Sequence, residues 1–106
     1  MYIMETITTD ELKRKMLKSE PVNIIDVREN DETALGIIPT AETVPMGEIP
    51  ENLNMFNEND TYYIVCRSGR RSAEVANYLE EKGIHAVNVE GGMLAWGDEA
   101  LEYKSI

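Results

Sequence analysis

The stretch that decides the fold is TYYIVCRSGRRS, residues 61–72. Its first five residues are all β-branched or aromatic, and they predict the strongest strand in the chain. The residues that follow place Val75, Ala76 and Leu79 at helical spacing and predict a helix over 72–82 that ends before Gly83. A buried strand, a polar loop and a helix in this order predict an α/β protein with a mostly parallel sheet.

Similar alternation of strand and helix continues on both sides of this stretch. Thr8 and Glu11 have the spacing of a capping box, which predicts that a helix begins there. Leu12, Met16 and Leu17 are expected to form the apolar face of that helix. Further strands are predicted at 6–7, 22–27, 43–44 and 86–89, and further helices at 29–35 and from 91 to 96.

The bulk composition predicts one globular domain spanning residues 1–106. A net charge of −10 argues against nucleic acid and against an anionic membrane surface as partners. The first residues lack the pattern of a signal peptide, and no apolar run is long enough to span a membrane. The single cysteine excludes an internal disulfide and favours a cytoplasmic location.

Positive charge is concentrated immediately after Cys66. Between Glu29 and Cys66 there is no Lys or Arg, and then Arg67, Arg70 and Arg71 follow within five residues. In an open parallel sheet, ligands bind outside the carboxyl ends of the strands, where this loop is expected. A cationic cluster at that position of an acidic chain predicts a site for a small anion.

Three physical effects predict that Cys66 is reactive. The following helix directs its unpaired N–H groups and positive dipole end toward the loop. A short arc of backbone amides containing Gly69 can form an anion-binding nest, and the guanidinium groups add positive charge. All three favour the thiolate, which is the nucleophile. The alternative is a buried cysteine that acts as a small hydrophobe, with solvated arginines beside it. Gly69 and Ser72 at their positions favour the functional interpretation.

Four segments, in order, resemble the motifs of the rhodanese-like sulfurtransferases. In that family the catalytic cysteine begins a six-residue loop. The resembling segments are Cys66–Arg71 for the loop, IDVR at 25–28 for Asp-Val-Arg, GIIPTA at 36–41 for Gly-His-Ile-Pro-Gly-Ala, and EGGMLAW at 90–96 for Gly-Gly-x-x-x-Trp. The departures are Ile37 in place of His and Thr40 in place of Gly, and neither position supplies the nucleophile.

The resemblance implies a five-stranded parallel sheet in the order 1-5-4-2-3, with helices on both faces. It implies sulfur transfer through a persulfide on Cys66, from a small anionic donor such as thiosulfate to a thiol or cyanide acceptor, or to a sulfur-accepting protein. We predict no metal site and assign no cofactor, because the sequence has no Cys/His cluster. The site residues predicted are Cys66 as catalytic, Arg67, Ser68, Gly69, Arg70, Arg71 and Ser72 as the binding loop, and Asp26 and Arg28 in support.

Two other functions and one contact stay open at this point. A cysteine-based phosphatase or arsenate reductase also combines a cysteine, a nest and an arginine, but tyrosine-type phosphatases use Cys-x5-Arg, whereas Arg71 gives Cys-x4-Arg. A catalytically idle module that binds a partner protein is the other alternative. Asp26 either pairs with Arg71 or caps a local turn while Arg71 faces water. His85, the only histidine, is expected to be exposed and not to pair with Cys66.

Overall fold

A parallel sheet of five strands forms the centre of the protein, in a computed structural model that describes residues 4–18 and 20–97. Its spatial order is β1-β5-β4-β2-β3, which confirms the order implied by the resemblance. The predicted domain 1–106 also includes residues 1–3, 19 and 98–106, which lie outside the described residues. The strands are β1 (Glu5–Thr8), β2 (Asn23–Asp26), β3 (Glu42–Thr43), β4 (Thr61–Val65) and β5 (His85–Glu90).

Helices connect the strands. The first begins at the predicted capping box: the Glu11 N–H donates to Thr8 Oγ1, and the Thr8 N–H donates to Glu11 Oε1, both at 3.1 Å. Within the described part of the chain, no helix combines the length and the apolar character needed to cross a membrane. The helices are α1 (Thr9–Leu17), α2 (Asn30–Thr33), α3 (Arg70–Glu81) and α4 (Gly92–Trp96), with 3₁₀ turns at Met46–Glu48 and Pro50–Met55.

Leu17 does not belong to the buried face of α1, which corrects the prediction from its spacing. Leu12 is fully buried, whereas Leu17 is 84% exposed. Five residues along an α-helix correspond to a rotation of about 140° from the starting side chain, so Leu17 points away from the face that Leu12 occupies. Met16, four residues after Leu12, packs against the core as predicted.

Side chains along each strand alternate between two faces of the sheet. We call the two faces the α3 face and the α1 face, after the helices that cover them. Both are apolar, as expected for a parallel sheet covered on both sides. The α3 face is formed by Ile25, Val27, Ile64, Cys66, Ala86 and, from α3, Val75, Ala76 and Leu79, and the α1 face by Ile7, Ile24, Val65, Val87, Val89 and, from the helices, Leu12 and Trp96.

Helix α3 begins at Arg70, two residues earlier than the sequence pattern predicted. Gly69 is its N-cap residue and has φ +99°. This left-handed conformation turns the chain sharply into the helix, and it favours glycine because a Cβ is sterically disfavoured there. Arg70 and Arg71 therefore lie in the first turn of α3 rather than in an extended loop, and the loop proper is residues 66–69.

Candidate active site

Cys66 lies immediately after β4, on the α3 face of the sheet. Only 1% of the surface of Cys66 is exposed to solvent, because the loop that follows Cys66 encloses the thiol. The backbone N–H of Gly69 donates to Cys66 Sγ at 3.1 Å, and Ser72 Oγ lies 3.3 Å from the same sulfur. These contacts show that Cys66 does not behave as a simple apolar side chain.

The shape of the loop depends on Gly69. A Cβ built at this position would lie 3.2 Å from the backbone nitrogen of Gly91 and 3.5 Å from the carbonyl oxygen of Val89. Together with its positive φ, this close approach explains why the sequence has glycine at the position that ends the loop. The Gly69 N–H is thereby held toward the sulfur.

Helix α4 binds the outer side of the loop. The Met93 N–H donates to the carbonyl oxygen of Cys66 at 2.9 Å, and the Leu94 N–H donates to that of Arg67 at 3.0 Å. Gly92 makes this contact possible, since a Cβ there would lie 2.4 Å from the Cys66 oxygen and 2.7 Å from the Arg67 oxygen. The Gly-Gly-x-x-x-Trp segment thus acts in the site by packing its backbone against the loop.

Hydrogen bonding gives the Cys66 thiol a pKa below its usual value. Burial by itself raises this pKa, but hydrogen bonds from the Ser72 hydroxyl and from the N–H groups of Ser72, Gly69 and Ser68 lower it by more. The Ser72 side chain makes the largest of the lowering contributions, and the backbone N–H groups of the nest expected from the sequence follow it. The arginine charges, also expected to matter, are not among the largest contributions.

Arg71 binds Glu32 rather than the loop. Its Nη1 and Nη2 donate to Glu32 Oε1 and Oε2 at 2.6 and 2.8 Å, a two-pronged ion pair between α3 and α2. The pair raises the pKa of Arg71 and lowers that of Glu32 to about 2. Sequence reasoning did not single out Glu32, since nothing in the pattern of the acidic segment distinguishes it from its neighbours.

Arg67 and Arg70 are exposed, and within the described residues neither forms an ion pair. Ser68 is exposed as well, while Ser72 is fully buried. Apart from Arg71, which binds Glu32, the predicted loop residues therefore divide into two sets. Ser68, Gly69 and Ser72 direct polar groups at the sulfur, and Arg67 and Arg70 provide unpaired positive charge at the surface beside it.

Asp26 does not pair with Arg71, and its partner is Arg28. Arg28 Nη2 donates to Asp26 Oδ2 at 2.8 Å and Arg28 Nε donates to Oδ1 at 3.0 Å. Asp26 is fully buried and Arg28 is 7% exposed. Strand alternation explains the correction: Asp26 follows Ile24 on the α1 face, whereas Arg71 belongs to the helix that covers the opposite face.

Arg28 also connects β2 to the segment that contains α2. Its Nη2 donates to the carbonyl oxygen of Gly36 at 2.8 Å, and its Nη1 donates to that of Glu32 at 3.4 Å. Asp26 and Arg28 thus support the position of Glu32, which holds Arg71. Their support of the loop is indirect.

The two departures from the family motif have separate structural outcomes. Ile37 is 1% exposed and packs in the core of the α1 face, so an apolar residue suits this position. Thr40 has φ +70°, the left-handed region in which the motif has glycine. The turn therefore keeps a glycine-like backbone although it has a β-branched residue, at a cost in backbone strain.

Asn88 is a site residue that sequence reasoning missed. Ser72 Oγ donates to Asn88 Oδ1 at 2.5 Å, and Asn88 Nδ2 donates to the carbonyl oxygen of Gly69 at 3.2 Å. A polar residue inside the apolar strand Ala86-Val87-Asn88-Val89 was the signal that could have found it. His85, which was not expected to pair with Cys66, lies at the start of β5 and contacts the Glu80 and Glu5 carboxylates at 3.0 and 3.4 Å.

A cavity of about 240 Å³ opens beside the loop. Two of its lining residues, Leu35 and Leu94, are large apolar side chains that are 76% and 64% exposed. Arg67, which forms no ion pair with any residue that the structure describes, adds a positive charge to its wall. No group of three or more His, Cys, Asp or Glu side chains able to hold a metal ion occurs in the described ranges 4–18 and 20–97. The cavity is lined by Arg28, Glu32, Leu35, Arg67, Met93 and Leu94.

Comparison with known proteins matches most of the chain to one protein family. Residues 8–99 match the family model of the rhodanese-like domain. The chain belongs to the rhodanese-like family. Among rhodanese-like structures, the crystal structure of a rhodanese-like domain protein from Staphylococcus aureus is 65% identical, with a TM-score of 0.94 over 96% of this chain and all of that one.

Curated relatives give the general activity. A Bacillus subtilis protein named "Putative sulfurtransferase YtwF" is 46% identical over 91% of this chain and 93% of that protein. A protein of Allochromatium vinosum named "Sulfurtransferase" is 33% identical over 93% of this chain and 94% of that protein. Membership of the rhodanese-like family, together with these relatives and the one buried cysteine, supports sulfurtransferase as the general activity of the chain.

Proposed function

We propose that the protein transfers sulfane sulfur from thiosulfate, or a similar small anionic donor, to a thiophilic acceptor through a persulfide on Cys66. The observation that carries the proposal is the environment of the sulfur. Cys66 Sγ accepts a hydrogen bond from the Gly69 N–H at 3.1 Å, inside a loop whose polar groups lower the thiol pKa. Such a loop suits the thiolate and, after the first step, the persulfide anion.

The reaction proceeds in two displacements. The Cys66 thiolate attacks the outer sulfur of thiosulfate, forms an S–S bond and releases sulfite with the electron pair of the broken bond. The acceptor, cyanide or a thiolate, then attacks the outer sulfur of the persulfide and leaves as thiocyanate or as a new persulfide. Cys66 is released as the thiolate. Covalent catalysis of this kind divides one difficult transfer into two easier steps, and the lowered pKa of Cys66 favours the thiolate, which attacks without a general base.

The charges at the surface favour an anionic donor. Arg67 lines the cavity and Arg70 lies at the start of α3, and both are exposed without an ion pair among the described residues. Two cations in a chain of net charge −10 create a local attraction for a small anion. Replacement of Arg67 or Arg70 by Ala should therefore raise KM for thiosulfate more than it lowers kcat.

The acceptor side of the proposal rests on the apolar rim of the cavity. Leu35 and Leu94 are exposed beside the loop. A small inorganic donor has no apolar part that could pack against these side chains. We assign this rim to the acceptor, a thiol compound or a sulfur-accepting protein with an apolar surface next to its thiol. As a lone thiol stays reduced in the cytoplasm, we place the reaction there.

Phosphoryl transfer is the weaker alternative for this geometry. A phosphatase would need Arg71 to coordinate the phosphoryl group, but both of its terminal nitrogens bind Glu32. The Cys-x4-Arg loop is also one residue shorter than the tyrosine-phosphatase loop. An idle binding module would have no use for a sulfur surrounded by hydrogen-bond donors, so we favour catalysis.

Intact mass spectrometry tests the proposal directly, because Cys66 is the only thiol in the chain. Incubation with thiosulfate should add one sulfur atom to the protein, and cyanide should remove it with formation of thiocyanate. Cys66→Ala is the matched control and should show neither change. If the unmodified protein takes up no sulfur from thiosulfate or from low-molecular-weight persulfides, or hydrolyses aryl phosphates faster than it forms thiocyanate, the proposed function is wrong.

A further inference from the structure

Asn88 is a buried polar residue on the α3 face of β5, where its neighbours are apolar. It is 7% exposed, and its backbone lies in register with Ile64 of β4. Both polar groups of its side chain contact the Cys66 loop or the first turn of α3: Nδ2 lies 3.2 Å from the Gly69 carbonyl oxygen, and Oδ1 lies 2.5 Å from Ser72 Oγ. The side chain therefore has a defined orientation toward the site.

That orientation determines the direction of the hydrogen bond to Ser72. A carbonyl oxygen only accepts hydrogen bonds, so the NH₂ group of Asn88 must face the carbonyl of Gly69. The amide oxygen of Asn88 then faces Ser72, and since this oxygen also only accepts, the Ser72 hydroxyl is the donor. The single hydroxyl proton of Ser72 is thus directed at Asn88.

A hydroxyl has one proton to donate, so Ser72 cannot donate to Asn88 and to Cys66 at the same time. While it donates to Asn88, its oxygen can only accept from the Cys66 sulfur, 3.3 Å away. This arrangement suits the protonated thiol. A thiolate has no proton to offer, and a Ser72 hydroxyl that turns to it leaves the buried oxygen of Asn88 without a donor.

We propose that Asn88 is a positioning residue that holds the Ser72 proton away from the Cys66 sulfur and so favours the thiol over the thiolate. The backbone N–H groups of the loop act in the opposite direction, and the Ser72 hydroxyl does so only when it turns from Asn88 to the thiolate. The balance keeps the sulfur ionisable without making it a poor nucleophile, because the nucleophilicity of a thiolate falls as the pKa of its thiol falls. The inference rests on the proposed role of Cys66 as the nucleophile.

Other charged groups lie on the elements packed around the loop or directly beside them, and they set the background against which Asn88 acts. They do not change in the variants described below. These groups are Arg70 and Arg71 on α3, Glu32 on α2, Asp26 and Arg28 at the end of β2, Arg67 in the loop and Glu90 at the end of β5.

The rate of alkylation by iodoacetamide as a function of pH tests the inference, and the single cysteine makes the readout specific. Asn88→Leu keeps the size of the side chain but removes the acceptor, so Ser72 becomes free to donate to the thiolate. The midpoint of the alkylation profile should fall by about one pH unit, the effect expected of one hydrogen bond to a charged group. Asn77→Leu, on the exposed side of α3, is the matched control and should leave the midpoint unchanged.

The same substitution in a Ser72→Ala background separates positioning from a general loosening of the loop. If Asn88 acts through the Ser72 proton, Asn88→Leu should not shift the midpoint when Ser72 is absent. If Asn88→Leu does not fold, Asn88→Ala replaces it in both backgrounds, with the same expected midpoints. An unchanged or raised midpoint, or an equal fall in both backgrounds, overturns the inference. The assay needs no sulfur donor, so a failure of the proposed sulfur transfer is seen separately, by mass spectrometry.

Discussion

Removal of the Glu32 carboxylate should destabilise the protein in a way that depends on pH. Glu32→Gln keeps the shape of the side chain and an oxygen that can accept from the Glu29 N–H, but it removes the negative charge opposite Arg71. The pKa of Glu32 is lowered from 4.5 to about 2, mainly by the hydrogen bonds from Arg71. If solvent did not screen the ion pair, a pKa shift of this size would correspond to about 3 kcal/mol of folding stability.

Solvent reduces that value. The side chains of Arg71 and Glu32 are 32% and 27% exposed, and ion pairs with this exposure are partly screened, so we expect Glu32→Gln to lower the free energy of unfolding by about 1–2 kcal/mol at pH 7. Because the folded-state pKa is lowered, the contribution is complete above about pH 4.5 and is lost as the pH falls toward about 2. The difference between wild type and variant should therefore shrink by about half near pH 3.

Urea unfolding followed by tryptophan fluorescence measures this difference, since Trp96 is the only tryptophan and is buried. Glu58→Gln, in the exposed turn before β4, makes the same change in charge and should alter stability by less than about 0.5 kcal/mol. A Glu32→Gln effect that is absent at pH 7, or that stays constant from pH 6 to pH 3, would refute the assignment of this pair.

Three further predictions concern the thiol and its support. The alkylation rate of wild-type Cys66 should reach its midpoint below the ordinary cysteine pKa of about 8.5, because a lowered pKa means that the thiolate is populated at lower pH. A midpoint at or above that value contradicts the hydrogen-bond argument. Asp26→Asn should cost about 3–5 kcal/mol in urea unfolding, since it leaves Arg28 buried without its partner charge, and a loss below about 1 kcal/mol would count against a buried pair. Gly92→Ala should slow thiocyanate formation more than Gly97→Ala, as both have positive φ but only Gly92 touches the loop; equal activities would show that the contact with α4 is not needed.

Features that depend on local spacing could be predicted from the sequence. The capping box at Thr8, the strand over 61–65 and the loop that begins at Cys66 all follow from residues close together in the chain. The sheet order came from the resemblance to a family rather than from periodicity. Local patterns define which residues form an element, and the family motif adds how the elements are ordered.

Partners across the fold could not be predicted in the same way. The Arg71–Glu32 pair joins residues 39 positions apart, and no spacing rule relates α2 to α3. Asp26 was considered as a partner of Arg71 on the basis of strand adjacency, but adjacency does not specify which face of the sheet a side chain occupies. The start of α3 at Arg70 depends on the left-handed backbone of Gly69, which helical periodicity does not reveal.

The contact between α4 and the loop has a consequence for the direction of the loop's amides. A trans peptide unit holds its C=O and its N–H on opposite sides. Since the N–H groups of Met93 and Leu94 bind the carbonyls of Cys66 and Arg67, the N–H groups of the same two peptide units, those of Arg67 and Ser68, point away from α4. Helix α4 thus orients the peptide dipoles of the loop although it contributes no residue to the loop. A fragment that ended before Gly92 would still contain the residues whose polar groups contact the sulfur. It would lack the two hydrogen bonds from α4 that orient the peptide units of the loop.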